Sequence, residues 1–113
     1  ILNLYNIAAR IDNPRHSRES VAQEDLNFHL AVAAMSRNPF MRSITSLIEA
    51  ALAVSFQISS PALSPEGISL CASQHLRIAS AIAARDPEAA ASAMRVVILE
   101  GATRATRALS RPE

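Results

Sequence analysis

Tryptophan is absent from this 113-residue chain, and aromatic residues make up only 4% of it. Alanine and short aliphatics must fill the interior instead, which suits closely packed helices. Only two glycines occur, Gly67 and Gly101. A β-sandwich or a dinucleotide-binding domain needs more for its turns and phosphate loops, so the composition leans all-α. A single cysteine, Cys71, excludes an internal disulfide, and zinc-knuckle and CxxC redox patterns are missing with it. A reducing, cytoplasmic setting is the simplest reading. No apolar run approaches the roughly 20 residues that span a membrane, and the first residues lack the basic start and cleavage site of a signal peptide. The formal net charge of +1 lacks the basic excess of a nucleic-acid surface. Gly-x-Ser-x-Gly, P-loop, His-Glu-x-x-His and dinucleotide fingerprints are all missing.

What is present is one domain's worth of helical pattern. Leu4, Ile7, Ala8 and Ile11 recur at helical spacing in a first helix over about 1–12. Asn13-Pro14 ends it, because the residue before proline avoids the α region. Ser17 caps a second helix that reaches about Ser36, and Asn38-Pro39 starts a third, over about 39–58. Beyond a Ser- and Pro-rich loop, Ser64-Pro65-Glu66 starts a fourth helix ending near Ala84. Asp86-Pro87-Glu88 starts a fifth that runs to about Leu109.

Three ionisable residues fall on apolar faces. In the second helix Val21, Asp25, Phe28, His29, Val32 and Met35 or Ser36 share one side. In the fourth, His75 stands in the middle of a stripe formed by Ile68, Cys71, Ile78, Ala79 and Ile82. Burying such groups is costly unless they pair or bind something. Two readings are open. Asp25 accepts a hydrogen bond from a core histidine and nothing more follows, or Asp25, His29 and His75 are three ligands of a divalent zinc, nickel or manganese ion with a position left open.

The stretch Asp25-Leu26-Asn27-Phe28-His29, followed by Ser36-Arg37-Asn38-Pro39-Phe40, resembles the D-x-x-F-H…S-x-N-P pattern of the C-terminal effector-binding domain of FadR-subfamily GntR transcription regulators. The run from His75 through Ile78, Ala81, Ile82, Asp86 and Ala90 to Met94 is similar to that domain's last helix pair. The resemblance covers about Ile1 to Leu109. It implies an antiparallel helix bundle around a ligand pocket, with residues 1–113 serving effector binding and dimerisation. The bundle's first helix or two and a winged helix-turn-helix DNA-binding domain would lie upstream of Ile1, outside this chain. It also implies a divalent metal held by an Asp, the His four residues later and two further histidines. Asp25, His29 and His75 match three of these positions. The fourth position holds Val97, so water or ligand completes the site, or the site is lost and the three residues meet an organic ligand directly.

Ile48-Glu49-Ala50-Ala51-Leu52 and Ser55-Phe56 are similar to sugar-acid regulators of the galactonate-repressor type. That likeness makes a sugar acid the expected effector, with Ser55 and Ser59 helping to line a polar pocket. The expected function is therefore that of a non-enzymatic sensing domain. It binds a small carboxylate, acts on operator DNA through the upstream domain, works as a homodimer and does not engage a membrane. A metal-dependent helical-bundle enzyme and a purely structural dimerisation module are the alternatives. Cys71 reads as a small buried apolar residue, His16 as solvated in a polar loop, and Arg104, Arg107 and Arg111 as a solvated face near the negative end of the last helix.

Overall fold

Four helices run through the residues that the computed structural model describes, 2–37 and 64–110, and no strand is found among them. They are α1 (Leu2–Ile11), α2 (Arg18–Met35), α3 (Pro65–Ala83) and α4 (Pro87–Ser110). These correspond to the first, second, fourth and fifth helices expected from the sequence, each end within two residues of its expected place. The expected helix over 39–58, the Asn38-Pro39 start, the 48–52 stretch, Ser55, Ser59 and Arg111 lie outside the described residues.

Each start is made by the side chain the sequence offers. The Ser17 hydroxyl accepts from the Ser20 amide at 3.1 Å, and the Ser20 hydroxyl accepts in return from the Ser17 amide at 2.8 Å, a capping box built from two serines. The Ser64 hydroxyl accepts from the Gly67 amide at 3.0 Å with Pro65 in the first turn. The Asp86 carboxylate accepts from the Ala89 amide at 3.0 Å. Between α3 and α4 the Arg85 amide bonds the Ile82 carbonyl and the Asp86 amide bonds the Ala81 carbonyl, both at 3.0 Å. This is a Schellman closure with Arg85 at φ 57°, the left-handed place glycine normally takes. The three-residue turn sends α4 back along α3.

α1 lies against both α2 and α3, and α4 packs on α3. One apolar cluster joins Leu4, Ile7 and Ala8 of α1 to Phe28 of α2 and to Ile78 and Ala79 of α3, with Met94 and Val97 of α4 against it. A second joins Ile11, Val21, Cys71 and Ala72. The inward stripe of α2 ends sooner than its spacing suggests. Ala33 is buried, but Met35 and Ser36 are exposed, because the chain leaves the helix there through Arg37 at φ 55°. No helix among the described residues is long and apolar enough to cross a membrane.

Candidate functional site

The two apolar clusters are separated by a polar layer, and the sequence explains its position. On α2, Asp25 lies between Val21 of one cluster and Phe28 of the other. On α3, His75 lies between Cys71 and Ala72 of one and Ile78 and Ala79 of the other. Both are buried, with 4% of Asp25 and 1% of His75 exposed. His29, one turn beyond Asp25, keeps 15% of its side chain exposed and forms the rim.

The Asp25 Oδ1 atom is the centre. It accepts from His75 Nε2 at 2.6 Å and from His29 Nε2 at 3.0 Å. The other ring nitrogen of His75, Nδ1, donates to the Cys71 backbone carbonyl at 2.7 Å, one turn earlier on its own helix. Both His75 nitrogens therefore face acceptors, which is the arrangement of an imidazolium. Phe28 stands edge-on to the His75 ring, with centroids 4.9 Å apart and planes at 85°. It also meets His29 edge-on at 6.0 Å. The phenyl ring closes the apolar side of the cluster and limits how far either imidazole can swing.

Burial pushes the Asp25 carboxyl up, but the hydrogen bonds and charge of His29 and His75 outweigh it and hold the group well below the usual carboxylate range. Burial likewise pulls the His75 imidazole down. Its bonds to Asp25 and Cys71 and the charge of Asp25 outweigh that and push it up to about 10. The pair is thus an ion pair in a dry setting, with its proton on the histidine.

The donor set also suits a transition metal. One atom each from Asp25, His29 and His75 lies within 4.8 Å of the others, and carboxylate with two imidazoles is a common zinc-type ligand set. The Nδ1 bond from His75 to the Cys71 carbonyl is the outer contact that fixes which nitrogen of a ligating histidine faces the metal. These three residues therefore fit the ion. Val97 reaches inward on α4 but offers only methyl groups, packed against the cluster that holds Phe28 and Ile78.

All three ligand candidates come together, from two helices that each pack against α1. The Cys71 side chain is buried as expected and lies 3.7 Å from His75 Nδ1. The role of its carbonyl had no signal in the sequence, because every helical residue has a carbonyl four positions back. His16 is not solvated as its polar loop suggests. It is half-buried, with Nδ1 2.7 Å from the Ser20 hydroxyl and Nε2 2.7 Å from the Arg10 carbonyl, and so ties the loop to both helices. Arg104 likewise departs from the solvated face. It is half-buried, and its Nε is cut off from water without a partner among the described residues.

The sequence model of the FCD domain matches residues 3–100, which includes every member of the cluster. No curated protein and no solved structure matches the chain.

Proposed function

This chain belongs to the FCD domain family, the C-terminal ligand-sensing domain of GntR-type regulators, and from that premise we propose that Asp25, His29 and His75 hold a divalent metal to which a small carboxylate effector binds. The observation that carries the reading is the convergence of three ligand atoms within 4.8 Å at the boundary between two apolar clusters. A structural ion pair needs only two groups. The third, His29, adds a donor at the exposed rim, on the side from which a ligand arrives.

When bound, the metal supplies a Lewis-acidic position for an effector carboxylate oxygen. Asp25 supplies the negative charge, His75 is held in register by the Cys71 carbonyl, and His29 sits where solvent is displaced. Val97 leaves the fourth protein position empty of donors, so the effector or water completes the set. A sugar acid is the favoured effector, with Ser55 and Ser59 as further polar contacts. The family is regulatory rather than catalytic, and a lone buried thiol suits a reducing cytoplasm.

Effector binding favours one arrangement of a homodimer, and winged helix-turn-helix domains joined upstream then fit operator half-sites less well or better. By linkage the operator alters effector affinity by the same factor. The test is a thermal melt of the 113-residue chain against a panel of sugar acids and small dicarboxylates, with and without a chelator. A ligand at 100 times its dissociation constant adds about 2.7 kcal/mol. A shift abolished by the chelator and by Asp25→Ala supports the reading. A shift that survives the chelator replaces the metal with direct recognition by the same residues, and a flat panel favours a purely structural module.

A further inference from the structure

Arg104 carries the one side-chain polar atom among the described residues that is cut off from water and has no hydrogen-bond partner, its Nε. Buried donors are ordinarily bonded, and this one belongs to a cation. The side chain is half-buried, and no ion pair joins it to an acid among the described residues, Glu100 one turn earlier on α4 included. Arg10, by contrast, is exposed and still paired with Glu24. The negative end of α4 does not replace a counter-ion, because that field acts over the last turn and Arg104 stands ahead of it.

The guanidinium is aimed back along the helix. Its Nη2 atom lies 3.8 Å from the place of a Cβ on Gly101, one turn towards the N-terminus, which is the direction helical side chains take. Arg104 shares a face with Val97, two turns earlier. Val97 packs against the cluster that holds Phe28, whose ring stands edge-on to His29 and His75. Gly101 is itself one turn past Val97, about 6 Å along the axis. The unpaired cation thus points along α4 towards the level of Asp25, His29 and His75.

We propose that Arg104 receives a second carboxylate of the effector, so that the ligand is a diacid. This rests on the reading of the Asp25, His29 and His75 cluster as the place where the first carboxylate binds. A guanidinium matches a carboxylate in charge and as a fork of two N–H donors. Rotation about the terminal bonds of this long side chain brings Nε and one Nη onto the two oxygens together. The dry N–H then has its acceptor and the cation its counter-charge. A monoacid of the same length supplies neither, and a site that offers buried polar groups discriminates strongly against an analogue that leaves them unpaired.

The test uses the zinc-loaded, ¹⁵N-labelled chain and two pairs of acids of equal chain length, glucarate with gluconate and glutarate with pentanoate. At least one diacid should bind about tenfold or more tightly than its monoacid, the scale of a hydrogen bond to a charged group. It should also shift the Arg104 Nε–H signal saturably. Arg104→Gln should abolish that preference and leave the monoacid's affinity unchanged. Without ligand this variant should melt at or above the parent's temperature, because no native partner is lost. A clearly lower melt would show that Arg104 has a structural partner, and would overturn the assignment. So would an unmoved Nε–H signal, equal affinities within both pairs, or a preference that persists in Arg104→Gln. The metal reading fails separately. If a chelator changes neither affinity while Arg104→Gln still removes the preference, Arg104 binds the second carboxylate and the first is held without a metal.

Discussion

Asp25 and His75 stand 50 residues apart in the chain and share a 2.6 Å hydrogen bond at the level where the apolar core divides in two. His75 spends its second nitrogen on the Cys71 carbonyl, so neither end of the ring is free. Both the stability and the chemistry expected of this domain run through that pair.

Removing Asp25 leaves the buried His75 without its counter-charge, and removing His75 leaves Asp25 with His29 alone. Asp25→Leu or His75→Leu should each cost about 3–5 kcal/mol, the usual penalty for leaving half of a buried pair. Replacing both with leucine should cost much less than the sum of the two, since apolar groups then join the clusters. Chemical denaturation of the four proteins of this cycle, with chelator present, measures the difference. Additive losses would mean that the pair is not coupled.

The pH dependence of the metal-free protein follows from the same bond. The His75 imidazole is raised from 6.5 to about 10, so its contribution is fully present below about 6.5 and is lost as pH rises through about 10. The Asp25 carboxyl is depressed below its ordinary 3.8, so its contribution is present above that value and is lost as pH falls. These are two views of one interaction and do not add. The melting temperature should fall between pH 7 and pH 10, and the fall should vanish in the double leucine variant.

Metal binding must compete with a proton. To ligate, His75 gives up the proton on Nε2 while Nδ1 keeps its bond to Cys71. Zinc titrated into the chelator-treated chain at pH 7 should therefore release about one proton. Calorimetry in two buffers of different ionisation enthalpy reads this directly, and zero release would place the metal elsewhere.

Val97 faces inward where the family pattern carries a histidine. Val97→His should tighten zinc binding by about tenfold or more, the scale on which changes around a metal site act. Competition against a chromogenic chelator measures it. Unchanged affinity would show that position 97 does not reach the cluster.

Gly101 sits inside α4 with space around it, since an added methyl would meet only the Arg104 guanidinium at an ordinary 3.8 Å. Gly101→Ala should stabilise the chain by about 1 kcal/mol through helix propensity alone. A melt that moves the other way would mean that this glycine serves an approach by another chain.

The helix segmentation and the inward direction of Asp25, His29 and His75 were legible in the sequence because both rest on local rules. Caps, Pro-containing starts and 3–4 spacing act within a few residues, and Ser17, Ser64 and Asp86 each make the bond that their position announces. The absence of tryptophan, the two glycines and the single cysteine narrowed the fold class for the same reason, since each is a requirement that other architectures fail to meet here. Long-range packing set the rest. It brought residues 25 and 75 onto one oxygen atom, made the Cys71 carbonyl a positioning group and placed Phe28 against both rings. It drew His16 out of solvent, turned Met35 away from the core, and buried the Arg104 Nε without a partner among the described residues. Spacing along a helix tells which way a side chain points. What it meets there depends on how neighbouring helices cross, and that is set by packing between residues far apart in the chain.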